Sequence, residues 1–369
     1  MKQKKLIIFM PSIEIGGVEK NLFIISNFLG TKLKNTTLIT ASKSFNSKFK
    51  NLKIINPAVN IENISSRRLK YFFCLIELIK ILIKDKNHLL LAFQANLYCT
   101  IICKILNIKI IIRSNSSPSG WKLNYFRKKL FQFFLKLPNK IIVNSNEFKK
   151  EYKDKFNINT LCIYNPLNKN NIVNYSKEKT KYNFFEKFKH LKIVFIGRLV
   201  DQKDPITFIK ALKIIKDKIN FKAIIIGNGK YYAELKKYTI NHKLQKNVKF
   251  LGFQKNPYKF LRLSDLLVLT SKYEGLPNVL LEALTLKKFV ISSNCKTGPK
   301  EILDNGKGGI LFNIGNHNDL AKKMIYYSNN IKINKKKINH AYRRLNRFDY
   351  NKNLNLYLKI ILKEMKFEK

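Results

Sequence analysis

Short apolar segments of β type alternate with longer segments of helical period from one end of the chain to the other. In the first half, the predicted strands are residues 5–10, 37–40, 52–55, 89–93, 109–112, 140–143 and 160–163. In the second half, they are residues 191–196, 221–226, 248–251, 266–269, 289–292 and 309–312. Strands that alternate with helices in this way are typical of parallel sheets covered by helices. The alternation therefore predicts an α/β fold.

The pattern begins twice, because residues 6–10 lead into Gly16 and Gly17 and residues 193–196 lead into Gly197. A chain of 369 residues is also too long for one ordinary core. Two facing Rossmann-like domains would place a ligand cleft at the carboxyl ends of their strands. The polar, aperiodic residues between the halves predict a linker. We expect domains at 1–167 and 191–345, a linker at 168–190, and a last helix within 346–369 that could pack on the first domain.

The composition is strongly basic, since 72 Lys and Arg against 23 Asp and Glu give a net charge of +49. Such a surface attracts polyanions or anionic lipid but identifies no partner. Codon bias is an alternative source of part of this charge, because residues with AT-rich codons are abundant throughout. The five cysteines form no Cys-x-x-Cys pair, which predicts neither a disulfide framework nor a zinc site. A reduced cytosolic compartment is expected, with no signal peptide and no membrane span.

The segment 270–283, TSKYEGLPNVLLEA, follows a predicted strand and contains Glu274 and Glu282 with seven residues between them. Gly275 permits a tight turn, and Pro277 suits the first position of a helix. The free N–H groups of that helix start would form an anion site between two carboxylates. This arrangement suits a sugar nucleotide, which has phosphates in its middle and hydroxyls at both ends. The alternative is a capped core helix with two solvated acids.

A second segment places two cations after a strand, because Arg198 and Lys203 follow residues 191–196 and precede a helix that starts near Pro205. The planar guanidinium and the compact ammonium both fit a diphosphate. Fixed cations beside a departing diphosphate can do the work of a divalent metal. No Asp-x-Asp sequence occurs, so we expect no metal site. In so basic a chain, such a pair means little by itself.

Together these motifs resemble the family 4 retaining glycosyltransferases of the bacterial surface-polysaccharide or lipid-linked oligosaccharide type. That family has the GT-B fold of two facing Rossmann-like domains. The resemblance spans nearly the whole chain, and its motifs occur in family order. They are Gly16-Gly17-Val18-Glu19, Asn144-Ser145, Asn165-Pro166, Gly197-Arg198 with Lys203, Gly227-Asn228-Gly229, Glu274 with Glu282, and Gly298-Pro299-Lys300-Glu301-Ile302 with Gly309.

The resemblance implies a role for each matched position. In the catalytic set, Arg198 and Lys203 would neutralise the departing diphosphate and Glu274 would face the transferred sugar. Glu282 would accept hydrogen bonds from the ribose hydroxyls. Residues 250–253 would line the base, and the first N–H groups of the helix would meet the phosphates and sugar. The remaining donor-binding residues are Gly16, Gly17, Gly197, Gly229, Phe250, Gly252, Phe253, Gly275, Asn278, Val279 and Leu280.

The chain departs from the family at one position, where many relatives have a histidine beside the donor sugar. Arg113-Ser114-Asn115 stands there instead, and the five histidines lie elsewhere. His88 is the nearest candidate, although a structural or solvated role fits it better. The resemblance to surface-polysaccharide transferases implies that Arg113 and Asn115 face the acceptor or the donor sugar.

The activity that the resemblance implies is transfer of a sugar from a nucleoside diphosphate to a lipid-linked or lipopolysaccharide glycan, with retention of anomeric configuration. UDP is the expected nucleoside diphosphate, because UDP-sugars are the commonest donors of the family. We expect neither a metal nor a cofactor. Residues 67–86 and 121–136 predict cationic, aromatic-rich helices that suit an anionic membrane surface, which implies a peripheral protein on the inner face of the cytoplasmic membrane. Alternatively, both helices simply pack on the sheet. Two other functions remain: a basic nucleic-acid-binding protein, for which no motif specifies a nucleic acid, and a sugar-nucleotide epimerase on the same fold.

Overall fold

The structure is a computed structural model that describes residues 4–14, 16–64, 66–115, 118, 124–180 and 182–366. The chain divides into two compact units. Unit 1 comprises Met1–Pro166 together with Tyr350–Lys369, and unit 2 comprises Leu167–Asp349. The chain therefore leaves unit 1 once and returns to it at the carboxyl terminus.

The described residues of unit 1 form a seven-stranded parallel sheet. Its strands are β1 Lys5–Phe9, β2 Thr36–Ile39, β3 Lys53–Ile55, β4 His88–Ala92, β5 Lys109–Arg113, β6 Lys140–Val143 and β7 Leu161–Cys162. Their order is β3-β2-β1-β4-β5-β6-β7, so the order reverses direction between β1 and β4. Open parallel sheets bind ligands outside the carboxyl ends of their strands at such a reversal.

Helices connect these strands. They are α1 Gly17–Lys32, α2 Arg67–Lys84, α3 Asn96–Ile105, α4 Tyr125–Leu135 and α5 Asn146–Phe156, with a 3-10 helix at Lys43–Lys48. Side chains of a strand point alternately to the two faces of the sheet. On β1, Ile7 therefore packs in the core beneath α2, α3 and α5, whereas Leu6 and Ile8 pack in the core on the opposite face with α1.

Unit 2 has a parallel sheet of six strands among the residues that the structure describes. They are β8 Leu191–Ile196, β9 Phe221–Ile226, β10 Val248–Gly252, β11 Leu266–Leu269, β12 Phe289–Ser293 and β13 Ile310–Phe312. The order is β10-β9-β8-β11-β12-β13, with the reversal between β8 and β11. The loops that follow these two strands are the expected place for a ligand site.

The helices of unit 2 are α6 Lys169–Ser176, α7 Pro205–Ile215, α8 Tyr232–Asn241, α9 Tyr258–Leu263, α10 Asn278–Thr285, α11 Pro299–Ile302, α12 His317–Asn329 and α13 Ile331–Arg344, followed by a 3-10 helix at Leu345–Phe348. The chain then returns to unit 1 as α14 Tyr350–Met365. Leu354, Tyr357 and Ile361 of α14 are fully buried in the core that contains Leu6 and Ile8.

The region predicted as a linker, residues 168–190, differs from the prediction in part. Its first residues form α6, which is capped by the side chain of Asn168 accepting from the N–H of Asn171 at 3.0 Å. This helix packs against α9 and α10. Residues 168–176 are therefore an element of unit 2 rather than a flexible connection. In the part of the chain that the structure describes, no helix combines the length and the apolar composition needed to cross a bilayer.

Candidate active site

Two loops at the carboxyl ends of β8 and β9 pack directly on each other. The N–H of Gly197 donates to the carbonyl of Ile226 at 3.0 Å, and the N–H of Leu199 donates to the carbonyl of Asn228 at 2.9 Å. Gly227 has a φ of 137°, and a Cβ there would lie 1.9 Å from the Gly197 carbonyl oxygen. Only glycine tolerates both this φ and this contact. Gly227 therefore lets the loop after β9 pack closely on the loop after β8, which carries Arg198.

Gly229, also in the loop after β9, packs closely against the loop after β8. A Cβ at this position would lie 2.4 Å from the carbonyl oxygen of Leu199. That carbonyl also accepts from the N–H of Tyr231 at 3.1 Å. Gly229 is thus held against the β8 loop, where the sequence predicts donor binding.

The structure brings together two of the predicted catalytic residues, Lys203 and Glu274, from the loops after β8 and β11. Lys203 Nζ donates to Glu274 Oε1, and the two side chains are only 17% and 7% exposed. Ser271 Oγ donates to the same carboxylate oxygen at 2.6 Å. A partly buried ion pair requires such additional hydrogen bonds to offset the loss of hydration. The ammonium and carboxylate are therefore held as one unit.

Backbone contacts fix the Lys203 loop independently of this ion pair. Thr270 Oγ1 contacts the carbonyl oxygens of Lys203 and Asp204 at 2.7 and 2.8 Å. Gln202 Nε2 donates to the carbonyl of Tyr273 at 3.2 Å. Asp204 accepts from Thr207 Oγ1 at 2.7 Å at the start of α7. The two loops therefore form a rigid edge on the sheet of unit 2.

Arg198 lies on the same edge and is exposed to solvent. Its guanidinium donates to Gln202 Oε1 at 3.3 Å. The β8 loop thus presents two cations of different character: Lys203 is partly buried in an ion pair, and Arg198 reaches solvent. Such a pair can bind an anion that approaches from solvent.

The helix after Glu274, α10, begins at Asn278, and Pro277 is the residue that precedes it. Asn278 and Val279 lie in the first turn. Leu280 differs in part from its predicted role in donor binding, because its side chain is fully buried and its N–H donates to the Pro277 carbonyl at 3.1 Å. The N–H that the sequence assigns to the phosphates or sugar is therefore used within the protein. Glu282 follows on this helix.

Glu282 is 7% exposed, and Tyr258 Oη donates to its Oε1 at 3.2 Å. Tyr258 stands at the start of α9, and its N–H donates to Asn256 Oδ1 at 3.1 Å. A phenol that donates to one carboxylate oxygen orients the group for other donors. Burial of Glu282 also argues against the alternative of a solvated acid on a core helix.

The loop after β12 packs against the turn that contains Glu274 and Gly275. Gly298 has a φ of 89°, and a Cβ there would lie 2.5 Å from the carbonyl oxygen of Gly275. Thr297 Oγ1 donates to the carbonyl of Glu274. Thr297 therefore holds the Glu274 backbone, and Gly298 packs closely on Gly275, which gives a structural reason for a glycine at the start of this C-terminal motif.

The residues predicted to line a base lie at the end of β10. Gly252 has a φ of 62°, and its carbonyl accepts from the N–H of Gly227 at 2.8 Å. Phe253 is 47% exposed. Phe250 packs on the core of unit 2, with its ring 5.7 Å from that of Tyr232. Of residues 250–253, Phe253 is the exposed one, and the base contact stays a prediction.

In unit 1, Gly16 is the residue before α1, which begins at Gly17 and is the first helix after β1. Gly16 is extended, with a φ of −174°, and a Cβ there would lie 2.8 Å from the flexible Glu19 carboxylate. The carbonyl of Gly17 accepts from Asn21 Nδ2 at 2.8 Å. The backbone conformation at Gly16 does not itself require glycine, and donor binding by these two residues stays a prediction.

Arg113 differs from its predicted role, because its side chain is 1% exposed. Its guanidinium donates to Tyr357 Oη and to Asn165 Oδ1, both at 2.8 Å, and to Asn115 Oδ1. Asn115 in turn donates to the carbonyl of Phe93 at 2.7 Å. Both side chains that the sequence assigns to a sugar are therefore used inside unit 1, because their hydrogen-bonding groups meet protein partners. His88 is buried too, with Nδ1 at 2.8 Å from the Asp85 carbonyl oxygen.

Ser271, Thr297 and Tyr258 are functional candidates that the sequence does not reveal. Each is a common hydroxyl residue, and its partner lies far along the chain or across a turn. A weak signal existed for Ser271, which stands between a predicted strand and Glu274. Burial, together with the nearby charge of Glu274, raises the pKa of the neighbouring Cys295 thiol to about 12, so this thiol stays protonated at neutral pH. No group of three or more potential ligands for a metal occurs within the described ranges.

Comparison with known proteins identifies the class to which this site belongs. A sequence model of the family described as "Glycosyl transferases group 1" matches residues 176–344, which include every site residue of unit 2 named above. The structure of Anabaena HepE in complex with UDP-glucose has a similar fold, with a TM-score of 0.78 at 18% identity over 97% of this chain and 99% of that chain. Residues 176–344 match the group 1 glycosyltransferases, which supports the predicted family, and the chain has the GT-B fold, which confirms the predicted fold class.

Two sequence relatives extend this finding. An uncharacterised glycosyltransferase of Methanocaldococcus jannaschii is 35% identical over 206 residues, and the alignment covers 53% of this chain and 51% of the relative. This chain thus spans about half the length of that relative. An α-1,4-N-acetyl-D-galactosaminyltransferase of Campylobacter jejuni is 26% identical over 97% of this chain and 98% of its own. Its name gives GalNAc-α-(1→4)-GalNAc-α-(1→3)-diNAcBac-PP-undecaprenol as the saccharide on which it acts.

Proposed function

We propose that this protein transfers a sugar, with retention of anomeric configuration, from a UDP-sugar to a lipid-linked or lipopolysaccharide glycan. The observation that carries the proposal is the cluster of Arg198, Lys203 and Glu274 at the carboxyl ends of β8 and β11, next to the start of α10. This is the place where an open parallel sheet binds ligands. The family match and the UDP-glucose complex of HepE support a nucleotide sugar as the donor.

The chemical task of such a site is to stabilise the diphosphate as it leaves. Arg198 and Lys203 supply fixed positive charge, and the first turn of α10 adds the positive end of a helix dipole. Because these groups are positioned before the reaction, no reorganisation is needed when negative charge develops. The proposal is therefore a metal-independent transfer in which the protein contributes position and electric field.

A screen of nucleotide sugars tests the donor. We expect one UDP-sugar to raise the melting temperature and to be slowly hydrolysed to UDP, because binding to the native state stabilises it by mass action. NMR of the transferred or released sugar before mutarotation would show the same anomeric configuration as the donor. Absence of both stabilisation and hydrolysis with every donor, or inversion of configuration, would contradict the proposal.

The acceptor proposal is supported by the Campylobacter relative, whose name contains an undecaprenol-linked saccharide. A saccharide on a polyprenyl chain is presented at a membrane. We propose that unit 1 contacts the inner face of the cytoplasmic membrane through α2, α3 and α4. Several large apolar side chains of these helices are 43% to 77% exposed: Leu69, Phe72, Ile83, Tyr98, Ile105, Leu130 and Phe133.

Basic residues accompany this apolar surface. On α2, Arg67, Arg68 and Lys84 are exposed, and on α4 Lys128 and Lys129 are exposed. Exposed aromatic and aliphatic side chains with neighbouring Lys and Arg are typical of helices that lie on anionic lipid. Each nearby Lys or Arg contributes about 1 kcal/mol to such binding. This supports the membrane contact over the alternative in which both helices only pack on the sheet.

Flotation with liposomes tests the membrane contact. We expect the protein to float with anionic vesicles at low salt, to bind less at about 0.5 M salt, and to bind neutral vesicles weakly. Substitution of Phe72→Ala with Phe133→Ala would reduce flotation, whereas Ile240→Ala with Tyr326→Ala, which are exposed apolar residues of unit 2, would not. Equal absence from both lipid fractions, or equal effects of the two double variants, would contradict it.

The two other functions are not favoured by the comparisons, because the matched family is a glycosyltransferase family. A gel shift that survives about 200 mM salt would revive nucleic-acid binding, since non-specific attraction to a polyanion falls steeply with salt.

A further inference from the structure

Ser271 is fully buried beside the candidate catalytic pair of unit 2. Its Oγ donates to Glu274 Oε1 at 2.6 Å, and Lys203 Nζ donates to the same oxygen. The serine hydroxyl therefore contacts the carboxylate from inside the protein and is itself not exposed to solvent. A hydrogen bond to a charged acceptor in a buried place is among the stronger ones in proteins.

The serine is itself held in place by a second buried hydroxyl. Ser293 Oγ, at the end of β12, donates to the carbonyl oxygen of Ser271 at 2.6 Å, and Ser293 is also fully buried. A chain of contacts thus runs from Ser293 through Ser271 to Glu274. Because both serines follow or end adjacent strands, β11 and β12, the chain is anchored in the sheet itself.

Resting on the proposed function, we infer that Ser271 is a positioning residue for sugar transfer. It holds the Glu274 carboxylate against Lys203, so that carboxylate and ammonium keep one geometry towards the sugar and the diphosphate. Supporting groups with locked conformations keep a catalytic arrangement within the narrow tolerance that efficient reaction requires. Without the hydroxyl, Lys203 alone of these two donors holds the Glu274 carboxylate, so the pair keeps its geometry less precisely.

The test is the steady-state kinetics of Ser271→Ala, with Ser264→Ala as the matched control. Ser264 is also a fully buried serine of unit 2, but its Oγ donates to the carbonyl of Leu261 at 2.8 Å and not to the site. We expect Ser271→Ala to lower kcat about 10-fold to 100-fold, the loss of one hydrogen bond to a charged group, with the donor KM within about twofold because the interaction acts in the transition state. Ser264→Ala keeps the wild-type kcat.

A double-mutant cycle distinguishes positioning of Glu274 from a general structural role. In a Glu274→Gln background, measured with radiolabelled donor, Ser271→Ala causes no further loss of kcat. An equal fold loss in both backgrounds, or wild-type kcat in Ser271→Ala, would overturn the inference. If Ser271→Ala does not fold, Ser293→Ala replaces it in the same cycle, with the same expected and contradicting results. Wild-type protein that turns over no nucleotide sugar would instead reject the proposed function, so the two failures are distinguishable.

Discussion

The buried guanidinium of Arg113 is held by oxygen atoms from separate parts of unit 1: Tyr357 of α14, Asn165 after β7 and Asn115 after β5. It also lies 5.4 Å from the ring centroid of Phe93. A planar cation with five N–H groups can satisfy several acceptors at once, which an ammonium cannot do with the same geometry. This residue therefore acts as a structural link between the sheet and the C-terminal helix.

Substitution of Arg113→Lys tests this link. We expect a loss of about 2 kcal/mol, because at least one of the buried acceptors loses its donor. Thermal unfolding would show a lower melting temperature, by about 4 to 8 °C for a unit of this size.

The control for this substitution is Arg68→Lys, which is exposed on α2. It is expected to change stability by less than about 0.5 kcal/mol. Equal melting temperatures for the two variants would show that the hydrogen bonds of Arg113 contribute little.

Residues differ in how far the sequence predicts their roles. Lys203 and Glu274 were both predicted from motifs, and the structure places them in contact. The resemblance to surface-polysaccharide transferases implies a sugar contact for Arg113, and nothing local in the sequence indicates that Tyr357 binds its guanidinium instead. Ser271 is hard to predict because a hydroxyl residue leaves no periodicity or charge pattern, and its position between a strand and Glu274 is only a weak signal.

At the scale of elements, strands were the most predictable feature, because continuous apolar runs such as residues 191–196 and 221–226 allow little else. The sequence does not predict helix α6, because its residues, KNNIVNYS, are mostly polar and give no clear apolar stripe. Its helical structure depends on packing against α9 and α10, which are far along the chain. Tertiary contacts of this kind override weak local preference.

The C-terminal helix α14 offers an element-scale prediction, because two leucines of this helix differ in burial. Leu354 is 0% exposed in the core of unit 1, whereas Leu356 is 37% exposed. We expect Leu354→Ala to cost about 2 to 5 kcal/mol, since it removes buried methyl groups and leaves a cavity. Leu356→Ala is expected to cost less than about 1 kcal/mol.

Urea unfolding followed by far-UV circular dichroism compares the two variants. A lower midpoint for Leu354→Ala alone would show that α14 is an integral part of the core of unit 1. Equal midpoints would mean that the helix contributes little to that core.

At the scale of the whole molecule, charge is the dominant property. With 72 basic and 23 acidic residues, most cations have no carboxylate available to them. Carboxylates that are buried among so many cations, such as Glu274 and Glu282, are therefore notable. The surplus raises the local concentration of anions, which favours both a diphosphate donor and an anionic membrane surface. Composition alone does not separate these partners, whereas the placement of Arg198 and Lys203 on one loop edge supports the proposed diphosphate donor.

The central claim is that Arg198 and Lys203 stabilise a departing diphosphate in place of a metal ion. Its most direct test is kcat for sugar transfer by wild type, Arg198→Ala and Lys203→Ala, each with and without EDTA, with Lys213→Ala, an exposed residue of α7, as control. The account predicts a loss in kcat of about 100-fold to 1,000-fold for each site variant, a smaller change in donor KM, and no effect of EDTA or of Lys213→Ala. Wild-type kcat in both site variants, or activity that EDTA abolishes and a divalent cation restores, would contradict it.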